Sequence, residues 1–309
     1  MKNNTEYKSP IFIVGPPRSG TTLIRRCISR HSEIYIAPET RFFPLVYGER
    51  HLLGRPDSRK SLEFIFDRFF NQEYRIKDYS YLRHGLINSL ENSGAGYKDI
   101  WSSLLSAIAE ENGKERWGEK TPNHAFFLSH LLDLFPEACV VGMLRNPYAA
   151  ITSYVKRQDL PSNPYTAIIK HKFSRKFIKK YSSEILIVKY KDLINNTEYE
   201  IKRTLDFINV NFEVKCMQPQ CYTSSYDDSN GTKIRNTNEG IKNKGLDEWK
   251  NHIDSDVKHM IEKFIYKDRK ISEIKNICYK MRLLYESARW LKAYLGIGSV
   301  HKKLAGTFW

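Results

Sequence analysis

Ile11-Phe12-Ile13-Val14-Gly15-Pro16-Pro17-Arg18-Ser19-Gly20-Thr21-Thr22-Leu23-Ile24 is the stretch from which the fold is read. Its first four residues are apolar and have the length of a buried strand. A turn bounded by Gly15 and Gly20 follows, and the chain then runs on as Leu23-Ile24-Arg25-Arg26-Cys27-Ile28, with apolar positions at helical spacing. Strand, glycine-bounded turn and helix start in that order make an anion cradle. Successive backbone N–H groups and the positive end of the helix dipole converge on one point. The spacing Gly15-x4-Gly20 is that of a Walker A loop, yet Thr21 stands where that motif carries lysine, and Arg18 lies inside the turn.

Outward from the loop, short apolar runs alternate with helical patterns. Residues 138–144 and 185–188 read as buried strands, 34–36 as a short strand or extended link, and 117–120 as a further strand. The expected fold is α/β: a P-loop-like central parallel sheet flanked by helices, in a single domain over residues 1–309. A helical insertion occupies about 44–116, broken at Gly54-Arg55-Pro56-Asp57 and Asn92-Ser93-Gly94-Ala95-Gly96, and is placed to cover the site and shape an acceptor pocket. The polar, Asn/Ser/Gly-rich stretch 219–245 reads as a mobile loop. From about 254 to 295 the pattern is helical again, Ile271, Ile274, Ile277, Met281 and Leu284 keeping near-3.6 spacing among basic residues. That helix is expected on the core, the alternatives being a homodimer or membrane contact.

The chain has 309 residues, enough for a full core, and 50 Lys+Arg against 35 Asp+Glu leave it at +15. Such a balance points to polyanionic partners: a nucleotide, nucleic acid, an acidic peptide or an anionic surface. No run approaches the ~20 apolar residues of a spanning helix. The five cysteines (Cys27, Cys139, Cys216, Cys221, Cys278) show no metal-ligand spacing. A reduced compartment is therefore expected, with a Cys216–Cys221 pairing as the alternative.

A second anion site is written further along. Arg145-Asn146-Pro147 stands where the 138–144 strand ends; Asn suits an N-cap and Pro the first helical position. Ser153 and Arg157, four apart, share a face of the helix that follows, so that with Arg145 two guanidinium groups and a hydroxyl converge on one anion. Thr40, after Pro38-Glu39, is expected to cap the next helix.

Pro17-Arg18-Ser19-Gly20-Thr21-Thr22-Leu23 resembles the 5′-phosphosulfate loop of sulfotransferases that use 3′-phosphoadenosine-5′-phosphosulfate (PAPS). Arg145, Ser153 and Arg157 match the family's 3′-phosphate motif. The resemblance is closest to the tyrosylprotein and bacterial branch, where a Glu-Thr-Arg segment supplies the catalytic base and a Lys-x-Pro segment a lysine for the sulfuryl group; here these would be Glu39 and Lys120. Tyr190 matches a tyrosine that lies against the adenine. Lys244, with Lys242 as competitor, matches a basic residue closing over the 3′-phosphate, ahead of Trp249-Lys250-Asn251-His252. The spacing from Arg18 to Lys120 is longer than in the tyrosylprotein enzymes, a departure that bears on the acceptor pocket.

The resemblance implies in-line sulfuryl transfer from PAPS, leaving adenosine 3′,5′-bisphosphate. Glu39 would act as base, with His124 as the substitute. Arg18, Lys120 and the amides of Ser19, Gly20, Thr21 and Thr22 would neutralise developing charge. Arg145 stands where a Walker B acid would be, so no metal is implied. The implied acceptor is a hydroxyl on a peptide tyrosine, a glycan or a small metabolite. Nucleic acid is not an expected partner. The implied location is cytosolic, since secretory-pathway members usually carry an anchor. The rival readings are a P-loop kinase and a non-enzymatic polyanion-binding protein.

Overall fold

Five short strands form one parallel sheet in the order β2-β3-β1-β4-β5. The computed structural model describes residues 9–56, 58–72, 74–156, 164–219 and 246–267. In chain order the elements are β1 (Ile11–Val14), α1 (Thr21–Ser29), β2 (Ile34–Ala37), α2 (Phe42–Leu45), α3 (Arg50–Leu53), α4 (Arg59–Gln72), α5 (Arg83–Leu90) and α6 (Tyr97–Glu111). They continue with β3 (Arg116–Lys120), α7 (Leu128–Leu134), β4 (Cys139–Leu144), α8 (Pro147–Val155), α9 (Pro164–Lys180), β5 (Leu186–Lys189), α10 (Tyr190–Asn195), α11 (Thr197–Phe207) and α12 (Ser255–Ile261). A π-helical turn, Glu262–Tyr266, extends the last of these. The remainder of the expected 254–295 helix lies outside the described residues, as do Cys221 and most of the 219–245 loop.

β1, β2 and β4 are buried along their whole length, which is why they read as unbroken apolar runs rather than alternating ones; β3, Arg116-Trp117-Gly118-Glu119-Lys120, is the exception. The pleat sends Phe12 and Val14 to one side, with Trp101 of α6 and Phe135, and Ile11 and Ile13 to the other, with Ile24, Cys27 and Ile28 of α1. Gly118 of β3 fits because a Cβ there would stand 2.6 Å from the Ile11 carbonyl oxygen on the neighbouring strand.

The connection from β1 runs to the β2 edge and that from β4 runs to the β5 edge. Parallel strands that part in this way leave a crevice at their carboxyl ends, the place where open α/β sheets bind ligands. The helical stretch 44–116 belongs to the core as well as covering it. Trp101 stacks on Phe42 at 4.1 Å and reaches Phe12 at 5.2 Å.

Thr40 does not cap α2. The N-cap position is Arg41, left-handed at φ 53 with no side-chain cap. The Thr40 hydroxyl turns instead to Glu119 and Trp101. Its proton goes to the buried carboxylate, a strong acceptor, and its lone pair takes the Trp101 indole N–H where a cap would take a helix N–H.

On the α1 side, Glu213 ties the turn before β2 to the segment after α11. Its carboxylate accepts from the Ser32 backbone N–H at 3.0 Å and from the Ser32 hydroxyl, with Lys215 at 2.7 Å and His31 at 3.4 Å. Burial works to raise its pKa, but the Lys215 and Ser32 hydrogen bonds and the His31 charge outweigh it and hold the carboxyl down at about 2. A depressed acid stabilises fully above its ordinary value and loses that contribution as pH falls toward its folded value. Thermal stability is therefore expected to decline between pH 4.5 and about 2, and Glu213→Gln is expected to flatten that decline in melting temperatures read by circular dichroism.

Candidate functional site

The loop from Gly15 to Gly20 is held at three points. The Gly15 N–H donates to the Pro122 carbonyl at 3.1 Å, Ser19 N–H to the Pro16 carbonyl at 3.2 Å, and Ile24 N–H to the Gly20 carbonyl at 3.1 Å. Arg18 (φ 68) and Gly20 (φ 96) both lie in the left-handed region. For an arginine this is uncommon and needs a surrounding that enforces it. Gly20 is required for a further reason: a Cβ there would stand 2.5 Å from Cδ2 of Tyr190. The α1 helix begins at Thr21 with no acidic residue in its first turn and no side-chain cap. Its first N–H groups have no intrahelical carbonyl and lie at the positive end of the dipole. The Ser19 side chain is buried, and its hydroxyl has no hydrogen-bond partner among the described residues.

The second cluster meets this loop directly. Asn146 caps α8 by accepting from the Tyr148 and Ala149 N–H groups, with Pro147 in the first turn, as the sequence predicts. That cap sets Arg145 at the tip of β4. Its Nη1 donates to the Arg18 carbonyl at 3.2 Å, and its guanidinium lies 4.4 Å from the Tyr190 ring centroid. Ser153, from α8, accepts a hydrogen bond from Arg18 Nε at 3.1 Å. Arg18, Gly20, Arg145, Ser153 and Tyr190 are thus one assembly. Arg157, Lys242 and Lys244 lie outside the described residues.

On the other flank Lys120, at the end of β3, donates to Glu39 Oε1 at 2.8 Å; the lysine side chain is 4% exposed and the carboxylate 22%. Register explains the meeting: Ala37 of β2 pairs with Glu119, so Glu39 emerges two residues beyond the paired strand, level with the tip of β3. His124 is fully buried, edge-on to Phe43 at 5.0 Å and to Trp101 at 5.6 Å, with Nδ1 3.2 Å from Glu119 Oε2. Its ring is thus packed between aromatic side chains and away from solvent.

The sequence reading missed Glu119, Thr121 and Trp101. Glu119 is 1% exposed, and its Oε1 accepts from the Thr40 N–H at 2.9 Å, from the Thr40 hydroxyl at 3.2 Å and from the Thr121 hydroxyl. Thr121 Oγ1 in turn accepts from the Arg41 N–H at 3.3 Å. The segment Glu119-Lys120-Thr121 was legible as a lysine before a proline; only the pairing of β3 with β2 reveals that all three residues grip Glu39-Thr40-Arg41. Among the described residues no cluster of His, Cys, Asp or Glu has the makings of a metal site, and no helix is long and apolar enough to cross a membrane.

The chain is 29% identical over 150 residues to the nodulation protein NoeE of Sinorhizobium fredii, covering 48% of this chain and 32% of that protein. It is 23% identical over 267 residues to protein-tyrosine sulfotransferase A of Caenorhabditis elegans, covering 80% and 62% respectively. The chain thus spans less than two thirds of the length of either relative. Its fold matches the sulfotransferase domain of the Synechococcus PCC 7002 olefin synthase with a TM-score of 0.58 at 22% identity, over 85% of this chain and 98% of that one. The profile described as the sulfotransferase family matches residues 10–214, which include the loop, the Glu39–Lys120 pair and the Arg145 cluster. The chain belongs to the sulfotransferase family.

Proposed function

We propose that this chain moves the sulfuryl group of PAPS to an acceptor hydroxyl. The observation that carries the reading is the juxtaposition of two groups of side chains at the sheet's carboxyl edge. One is a carboxylate and an ammonium 2.8 Å apart; the other is a loop arginine hydrogen-bonded to the Ser153–Arg145 cluster. The residues present fit the nucleotide. The loop offers N–H groups at an uncapped helix start, and the buried Ser19 hydroxyl has a bond to make. Tyr190, held against Gly20 and beneath Arg145, offers a flat face to a base or ribose.

PAPS would supply an activated sulfuryl group on a good leaving phosphate. Arg145, Ser153 and Arg157 would bind the 3′-phosphate, and Lys244 would close over it. Arg18, with its side chain on Ser153 and its carbonyl on Arg145, would link that pocket to the 5′ loop. Ser19, Gly20, Thr21 and Thr22 would hold the 5′ end through their N–H and hydroxyl groups. Lys120 would donate to the sulfuryl oxygens as charge builds on them, and Glu39 would take the acceptor's proton at its carboxylate oxygen. No residue in this scheme needs a metal. A peptide tyrosine is the favoured acceptor, because relatives named protein-tyrosine sulfotransferase match about four fifths of the chain. Glycan and small-metabolite hydroxyls are the other arms of the test.

Adenosine 3′,5′-bisphosphate at 100 times its dissociation constant should stabilise the fold by about 2.7 kcal/mol, read as a rise in melting temperature. Labelled PAPS offered with pools of tyrosine peptides, oligosaccharides and phenols identifies the acceptor, and turnover is expected to survive EDTA. Stabilisation by Mg·ATP with none by the bisphosphate would instead mark a kinase.

Arg145→Ala is expected to weaken bisphosphate binding by about 10–100-fold, the worth of a charge-assisted pair, with a smaller change in turnover at saturating PAPS. Arg145→Lys should not restore it, because a lysine cannot both stack on Tyr190 and reach the Arg18 carbonyl. Isothermal titration checks both variants.

A further inference from the structure

We infer that Glu119 is a positioning residue whose buried carboxylate sets the direction in which Glu39 points. This rests on the reading of Glu39 as the base. The Thr40 N–H shares a rigid peptide plane with the Glu39 carbonyl. Pinning that N–H to Glu119 Oε1 at 2.9 Å fixes the backbone on the C-terminal side of Glu39. The hydroxyls on either side complete the grip. Thr40 Oγ1 donates to Glu119 and accepts from Trp101 Nε1 at 3.2 Å, while Thr121 Oγ1 donates to Glu119 and accepts from the Arg41 N–H. Lys120 holds the Glu39 side chain itself at 2.8 Å. Successive residues of a strand point to opposite faces, so Glu119 and Lys120 hold the loop from two sides.

Stability alone does not account for a carboxylate in this place. Burying an ionised group is costly, and well-packed apolar residues commonly serve stability as well or better. What several donors on one buried carboxylate provide is a single geometry. The surroundings are stiff: Trp101 is stacked on Phe42, and His124 fills the space beside Oε2 at 3.2 Å. A carboxylate 1% exposed and so placed has no path to an acceptor, so its influence on turnover passes through Glu39. A base must stand within hydrogen-bond reach of the hydroxyl it serves, and small misplacements cost rate rather than cofactor affinity.

The test compares the parent with Glu119→Gln, Thr40→Val, Thr40→Ser and the Glu119→Gln/Thr40→Val double variant. Amide exchange of the peptide covering residues 37–42 is followed by mass spectrometry. Glu119→Gln is expected to speed exchange at Thr40 by about tenfold or more, while β1 and β4 stay protected. Turnover with PAPS and the acceptor pool that the parent sulfates should fall about 10–100-fold, with the KM for PAPS and the bisphosphate affinity unchanged. Thr40→Val, which keeps the N–H bond and removes the hydroxyl one, should lower turnover less than Glu119→Gln, Thr40→Ser should keep parental turnover, and the double variant should be little worse than Glu119→Gln alone, since both changes act through the same carboxylate.

Unchanged Thr40 exchange in Glu119→Gln, or turnover and bisphosphate affinity falling in equal proportion, would overturn the assignment. If Glu119→Gln does not fold, the contrast between Thr40→Ser and Thr40→Val decides. A parent that neither binds the bisphosphate nor uses PAPS would sink the proposed function instead, while the exchange measurement still decides whether Glu119 holds the loop.

Discussion

Glu39→Gln is expected to lower turnover about 10²–10⁴-fold, equivalent to about 3–5 kcal/mol of barrier, while adenosine 3′,5′-bisphosphate binds as tightly as before. The amide keeps the shape of the carboxylate and still accepts a hydrogen bond from Lys120, so the loop should hold its place. What it loses is the capacity to accept a proton. The measurement is single-turnover sulfation at saturating PAPS, alongside calorimetric titration of the bisphosphate. Near-parental turnover would mean that another group takes the proton. His124, fully buried between Phe43 and Trp101, would need its packing to open before it could serve.

Lys120→Met should be nearly as damaging, about 10²–10³-fold in kcat, the usual cost of removing one preorganised donor from a developing negative charge. The lysine side chain is 4% exposed, so Met fills much of its volume and the fold should survive, as circular dichroism would show. Lys120→Arg should recover little. The ammonium comes from a strand end beside Ile13, and a larger planar head cannot occupy that point without displacing Glu39. Equal turnover in parent and Met variant would move the charge-neutralising role to Arg18 and the loop amides.

Much of the fold was legible because its signals are local. An apolar run of strand length, two glycines five apart and a helical apolar stripe needed no knowledge of neighbours, and β1 and α1 lie where that pattern places them. The same holds for Asn146-Pro147, whose capping chemistry is written in two residues. Thr40 shows the opposite case. By local rules it is a cap, yet a buried carboxylate 79 positions away takes both its N–H and its hydroxyl. His124 likewise has the chemistry of a base, and only the tertiary structure shows it packed between aromatic rings.

Residue chemistry and spacing along the chain were enough to establish an anion-cradling loop, a parallel sheet and the separate pieces of an anion site, because strand, turn and cap preferences act over a few residues. Tertiary structure alone brought Arg18 to Ser153 and Arg145, and set Lys120 against Glu39 with Glu119 beneath the next residue. Those contacts depend on strand order and register: β3 must lie between β2 and β1, with Ala37 level with Glu119. Register is a property of paired strands, and nothing in either strand read singly contains it.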